Sequence, residues 1–151
     1  MTNDTNKGPI LRTKLHRPPA PSDYVHRPRL LEYLDQQRKQ PLTLVSAPAG
    51  YGKSTLLSCW LDSCDRPSTW ISLDENDNDL RQFLAYIIAA VKTIFPNAVS
   101  ATNILVDAPT LPPLSTMVGS LCNELDAIEQ DFILVLDDIH CIQEKSIHHF
   151  L

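Results

Sequence analysis

Apolar positions recur along this chain with two periods, and the switches between them outline its elements. Residues 29–37 carry Leu30, Leu31 and Leu34 on one side of a short predicted helix. Residues 53–64 place Leu56, Leu57, Trp60 and Leu61 at helical spacing. Phe83, Leu84, Ile87, Ile88 and Val91 form one stripe of a helix that stops before Pro96. A third helix carries Leu114, Met117, Val118, Leu121, Leu125 and Ile128, and residues 144–151 open another. Between them lie short runs rich in strand-formers, at 42–46, 68–73 and 132–136. The last of these is continuously apolar, as in a buried parallel strand. Prolines crowd the first 48 residues and predict an irregular, extended arm, because proline removes a donor and restrains its predecessor. Residues 96–113 read as a long loop. The acidic turn 74–79 ends in Asp79, a fitting N-cap for the helix that follows.

Strands alternating with helices predict an α/β fold with a parallel sheet. Ligand sites in such sheets lie at the carboxyl ends of the strands. Two unusual clusters fall there: a glycine turn after 42–46 and a pair of aspartates after 132–136.

Composition narrows the functional classes. The chain has 151 residues, with 43% apolar and 21% charged positions, an ordinary globular balance. A net charge of −5 argues against a broad basic face gripping nucleic acid. The longest mostly apolar stretch, 84–91, falls far short of the ~20 residues a spanning helix needs, so no membrane partner is expected. The polar opening 1–7 is unlike a secretory leader. Cys59, Cys64, Cys122 and Cys141 lack paired spacing, and those inside helices read as small buried apolar residues, which fits a reducing cytoplasm.

The glycine turn is the sequence's most informative feature. Ala47-Pro48-Ala49-Gly50-Tyr51-Gly52-Lys53-Ser54 follows the phosphate-loop pattern, with alanine where glycine usually opens it. Such a turn aims successive backbone N–H groups at one point, and the following helix adds its positive end. A polyphosphate is the natural occupant. Lys53 is placed to reach β- and γ-phosphates, the Ser54 hydroxyl to ligate Mg²⁺, and Thr55 to lie near the α-phosphate. A dinucleotide fingerprint fails, because it needs glycine at position 55.

Asp137 is expected to coordinate that Mg²⁺, and Asp138 to orient or deprotonate an attacking water. Asp74, Asn76 and Asn78 have calcium-loop spacing, but Asp79 and Ala85 occupy its glycine and glutamate positions. Asp74 then reads as a helix cap. His140, Cys141, His148 and His149 lack the second ligand pair of a zinc site. Trp60 and Trp70 read as core residues.

Five segments together carry a family resemblance: Thr-Lys-Leu-His-Arg-Pro at 13–18, Val-His-Arg-Pro-Arg-Leu at 25–30, the turn with its strand at 44–54, Trp-Ile-Ser-Leu-Asp-Glu-Asn-Asp-Asn at 70–78, and Leu-Val-Leu-Asp-Asp-Ile-His at 134–140. From about Leu11 onward the chain resembles the ATPase domain of the maltose-activator type of large LuxR-type transcriptional regulators, in the STAND class of P-loop ATPases. The resemblance implies ATP and Mg²⁺ as cofactors, phosphate binding by Gly50, Gly52, Lys53, Ser54 and Thr55, and acids at Asp137 and Asp138. It places 25–30 near the adenine, with Arg27 the residue of interest. It further implies self-association of a longer parent, with inducer-binding repeats and a DNA-binding element that this chain lacks.

The expected organisation is an arm and short helix at 1–40, then a partial P-loop ATPase domain at 41–151, truncated before the strand that senses the γ-phosphate. A strand missing between the phosphate-loop strand and the aspartate strand would leave the sheet with a gap or a non-native pairing. The leading expectation is an ATP-binding, slowly hydrolysing regulatory domain. A non-hydrolysing ATP-binding fragment and a small-molecule phosphotransferase are the alternatives.

Overall fold

A computed structural model describes residues 8–151; the opening stretch 1–7, and the absence of a leader read there, lies outside the described residues. The chain forms two units. One is Arg17–Arg66, and the other joins the described residues up to His16 with Pro67–Leu151.

In the Arg17–Arg66 unit, α1 (Pro28–Gln37) begins with Pro28, whose fixed φ suits the first helical position. Leu34 is its buried residue, whereas Leu30 is exposed. Helix α2 (Lys53–Ser63) starts at Gly52, a left-handed N-cap with φ 76°. The proline-rich arm is pinned to α2 by side chains. Arg17 donates to the Ser58 carbonyl and pairs with Asp62, while the Ser58 hydroxyl donates to the Pro18 carbonyl at 2.7 Å. These bonds replace the ladder that prolines cannot form.

The run 42–46, expected as a strand, is not one. Its backbone has no sheet partner among the described residues, and Leu42 and Leu44 are 74% and 77% exposed. Strand propensity is a preference for a pleated, half-buried surface, and it has no effect where no neighbouring strand supplies one.

The other unit carries the sheet. β1 (Ser68–Ser72) and β2 (Ile133–Asp137) are parallel, in register from Ser68 opposite Ile133 to Ser72 opposite Asp137. The pairing extends past both ends, with Ile133 N–H donating to Pro67 and Leu73 N–H to Asp137. Between the strands run α3 (Leu80–Ile94), α4 (Ser100–Asp107) and α5 (Leu114–Asp126); α6 (Lys145–Phe150) follows β2. Asp79 caps α3 as expected, its carboxylate accepting from Gln82 N–H at 2.9 Å. The stripe Phe83, Leu84, Ile87, Ile88 and Val91 is fully buried with Ile71, Val106, Met117 and Leu121.

Helix α4 lies inside the stretch expected as a loop. Its eight residues are stabilised from outside, at both ends. Glu124 of α5 accepts from the N–H groups of Ala101 and Thr102, both at 2.8 Å. Buried Arg81 of α3 donates to the carbonyls of Val106 and Ala108. An anion at the amino end and a cation at the carboxyl end complement the helix dipole and satisfy its terminal groups. Local periodicity in so short a helix gives little sign of this.

A 3-10 turn at Arg12–Leu15 docks on the same unit. Lys14 reaches Asp74 at 2.7 Å and Asp77 at 2.6 Å, and lies 5.3 Å from the centre of the Tyr86 ring, whose hydroxyl accepts from Leu11 N–H. The predicted arm is therefore ordered where its apolar and charged residues meet α3 and the turn after β1. Trp70 is buried, as is Trp60; Cys59 is buried, but Cys122 is exposed on α5.

Candidate functional site

Each unit carries one of the two clusters. In the Arg17–Arg66 unit, residues 47–52 form an exposed turn into α2. Gly50 and Gly52 have φ of 79° and 76°, a region that costs other residues about 1–2 kcal/mol. A Cβ at Gly50 would meet nothing within 4 Å, and one at Gly52 only the tip of Arg27 at 4.0 Å. The requirement for glycine is therefore conformational. The α2 amino end has no side-chain cap and no acidic residue in its first turn, so its positive end faces no counter-charge from those positions.

Lys53 folds its ammonium over the turn, donating to the carbonyls of Ala47 at 2.8 Å and Pro48 at 3.2 Å. Ala47, Pro48, Ala49 and Tyr51 are exposed, and Ser54 and Thr55 are half-buried in the first turn of α2. Arg27 Nη1 donates to the Tyr51 carbonyl at 2.9 Å. The structure thus brings Arg27 onto the glycine turn. Together they bound a cleft of about 260 Å³, with Tyr24, Val25, Arg27 and Leu31 on one wall and Gly50, Gly52, Thr55 and Leu56 on the other. Among the lining residues that sequence reasoning missed are Tyr24 and Cys59. The Cys59 thiol hydrogen-bonds the Tyr24 phenol and, with burial, holds its pKa above the ordinary 10.0. The Tyr24 ring lies 4.3 Å from that of His26.

In the other unit, the aspartates stand at the carboxyl end of β2. Asp137 is buried in the last strand position and accepts from Asp138 N–H at 3.1 Å. Asp138 is exposed and left-handed, with φ 58° and ψ 33°. His140 Nδ1 lies 3.8 Å from the Asp138 carboxylate. The following 3-10 turn, Ile139–Cys141, is closed by Cys141 N–H donating to the Asp138 carbonyl at 2.9 Å. Burial first, then the charge of Asp138 and nearby acids, raises the Cys141 thiol pKa.

Asp74 caps the 3-10 turn Glu75–Asp77, accepting from Asn76 N–H at 2.8 Å. Burial works against its charge, but Lys14's hydrogen bond is the larger influence and holds its carboxyl below the ordinary 3.8. Asn78, read from sequence as part of a rejected calcium loop and of the 70–78 resemblance segment, makes the densest set of side-chain bonds here. Its Nδ2 donates to Glu75 O and Cys141 O, and its Oδ1 accepts from Gln143 N–H and Glu144 N–H. Among the described residues, no three His, Cys, Asp or Glu side chains gather as a metal cage. Among the described residues, no helix is long and apolar enough to cross a membrane either.

Fold and site define a mixed α/β protein with a glycine turn opening a helix and paired acids ending a parallel strand. No protein-family model matches the chain. Its sequence relatives include HTH-type transcriptional regulators MalT: it is 36% identical over 139 residues to MalT of Klebsiella pneumoniae subsp. pneumoniae, and 36% identical over 140 residues to MalT of Yersinia pestis. Each match covers 92% of this chain and 15% of the relative. The chain is thus homologous, along nearly all its length, to part of a transcriptional regulator, and the resemblance read from its motifs holds.

Proposed function

We propose that this chain is the ATP-binding part of a MalT-like, cytoplasmic transcriptional regulator of P-loop NTPase architecture, with nucleotide state governing self-association of the parent. The observation that carries this reading is the cleft beside the glycine turn. Its volume suits a base and ribose, while the exposed turn and the uncapped amino end of α2 suit a polyphosphate. Lys53 would exchange the carbonyls of Ala47 and Pro48 for phosphate oxygens, and Arg27 and Val25 would wall the adenine.

The Ser54 hydroxyl, in the first turn of α2, is a hard oxygen donor of the kind Mg²⁺ takes alongside phosphates, and Asp137 is proposed as its carboxylate ligand. When bound, it would neutralise charge on the β- and γ-phosphates. In slow hydrolysis, water attacks the γ-phosphorus and Asp138 accepts the water's proton. The bond from γ-phosphorus to the β–γ bridging oxygen breaks, and that oxygen leaves on ADP.

The test is thermal unfolding of the chain with and without MgATP, beside Lys53→Ala. At a hundredfold excess over Kd, binding to the native state adds about 2.7 kcal/mol. That raises Tm by about 5–10 °C in the parent and not in Lys53→Ala. An equal rise in both, or none in the parent, sinks the reading.

A further inference from the structure

We propose that Arg17 and Ser58 are positioning residues that clasp segment 17–27 against α2 and so set the base-side wall of the cleft; this rests on the reading of that cleft as a nucleotide site. The segment carries Tyr24, Val25 and Arg27 onto one wall. Pro18, Pro19 and Pro21 supply no N–H, so it cannot hold its place through a backbone ladder. Its internal backbone bond is long, from Tyr24 N–H to the Pro21 carbonyl at 3.3 Å. Side chains hold it instead. The Arg17 guanidinium spans two acceptors one turn apart on α2, the Ser58 carbonyl at 3.3 Å and the Asp62 carboxylate. The Ser58 hydroxyl, on a residue only 1% exposed, donates to the Pro18 carbonyl at 2.7 Å. A helical serine often turns its hydroxyl back to the carbonyl one turn earlier; this one reaches outside the helix.

The next residue of α2, Cys59, meets the segment again at Tyr24, and Arg27 reaches the Tyr51 carbonyl at 2.9 Å. Pro18 and Tyr24 are thus tied to adjacent residues of one helix, and the chain between them is a closed loop. Arg17 and Pro18 end the Thr-Lys-Leu-His-Arg-Pro segment, and neither they nor Ser58 line the cleft. They act through the wall. A wall held in place before the ligand arrives need not be ordered by it, and that ordering cost no longer weakens binding. Lys53 is held separately, on the Ala47 and Pro48 carbonyls. Releasing the clasp should therefore weaken ligands that carry a base and spare bare phosphates.

The experiment uses the full chain and its variants Ser58→Ala and Arg17→Met, with Lys39→Met, exposed and outside the cleft, as the charge-matched control. MgATP and inorganic triphosphate are titrated calorimetrically below the Tm of every variant. Amide hydrogen exchange is followed at 24–27, and at 33–36 of α1 for reference. Both clasp variants are expected to raise the Kd for MgATP about fivefold, which is about 1 kcal/mol, with triphosphate within about twofold of the parent. Exchange at 24–27 quickens about tenfold, and that at 33–36 keeps the parent rate. A side chain that only stabilised the fold would lower Tm and leave the difference between the two ligands unmoved.

MgATP affinity at the parent level in both clasp variants overturns the proposal and leaves the nucleotide reading standing. So does an equal loss for MgATP and triphosphate, or a loss in Lys39→Met that matches Arg17→Met. A parent that binds neither ligand overturns the nucleotide reading, and the proposal with it. If Ser58→Ala does not fold, Arg17→Met carries the test, since the Arg17 side chain is 33% exposed and its loss leaves the Ser58 hydroxyl in place.

Discussion

The ammonium of Lys14 lies 2.6 Å from the carboxylate of Asp77, which is only 2% exposed. Sixty-three residues separate the two, and the pair fixes the arm to the turn after β1. Removing one member of a buried pair leaves the other charge uncompensated, at a cost of about 3 kcal/mol. Lys14→Met is therefore expected to lower Tm by about 10 °C, measured by calorimetry. Burial lowers the Lys14 pKa, but the hydrogen bonds its ammonium donates to Asp74 and Asp77 more than offset it and raise the group above its ordinary 10.5. A raised pKa means the stabilisation is complete below 10.5 and fades as pH rises through the folded value. The difference between parent and Lys14→Met shrinks in that alkaline window, and a gap that stays constant there would contradict the assignment.

Glu124 gives the opposite sign. Burial pushes its pKa up, but the hydroxyl and N–H of Thr102 and the N–H of Ala101 outweigh this and hold it below the ordinary 4.5. Its contribution is present above 4.5 and lost as pH falls through the depressed value. Glu124→Gln is expected to be about 1–2 kcal/mol less stable than the parent at pH 7, in the range of a lost helix cap. Denaturant titrations at descending pH should bring the two curves together below 4.5. Arg81→Met, at the other end of α4, strips the donors from two carbonyls and should cost about 2–3 kcal/mol at any pH in that range.

At the glycine turn, stability and affinity should separate. Gly50→Ala and Gly52→Ala meet no steric block, so each should cost about 1–2 kcal/mol through backbone strain alone. Gly50→Asn, which tolerates left-handed backbone better, should recover part of that loss. Under the nucleotide reading, both alanine variants also lose MgATP affinity by more than tenfold in titration calorimetry, because the N–H groups of the turn no longer converge. Unchanged affinity would show that the turn is only a connector.

Much of this was legible in the sequence, for reasons that differ by element. The α3 stripe from Phe83 to Val91 and the apolar run of β2 announce themselves because burial imposes one period or none. Asp79 as a cap and Gly50 and Gly52 as turn-makers follow from local conformational rules. The resemblance placed the 25–30 segment, with Arg27, near an adenine, and in the structure Arg27 is bonded to Tyr51 of the glycine turn, a contact no local pattern shows. The strand expected at 42–46 failed because a strand is a property of a pair, and composition shows only one partner. Helix α4 was missed because Arg81 and Glu124, which stabilise its ends, lie outside it in sequence. Asn78 was hidden for the same reason, since its bonds to Cys141, Gln143 and Glu144 span more than 60 positions.

Arg27 offers a way to tell base contacts from phosphate contacts within one cleft. Its guanidinium is held by the Tyr51 carbonyl at 2.9 Å, and Val25 and Leu31 line the cleft beside it. Lys53 sits over the turn itself, on the carbonyls of Ala47 and Pro48. If Arg27 walls the base and Lys53 serves the phosphates, the two variants should divide by ligand. Arg27→Ala should weaken ATP and ADP by a similar factor, about tenfold, and leave inorganic triphosphate within twofold of the parent. Lys53→Ala should weaken ATP and triphosphate together. The factor of ten corresponds to about 1.4 kcal/mol, in the range of a hydrogen bond to a charged group. Competition binding with the three ligands decides the matter: a loss of triphosphate affinity in Arg27→Ala equal to that of ATP would move Arg27 to the phosphate side and leave base recognition to Tyr24, Val25 and Leu31.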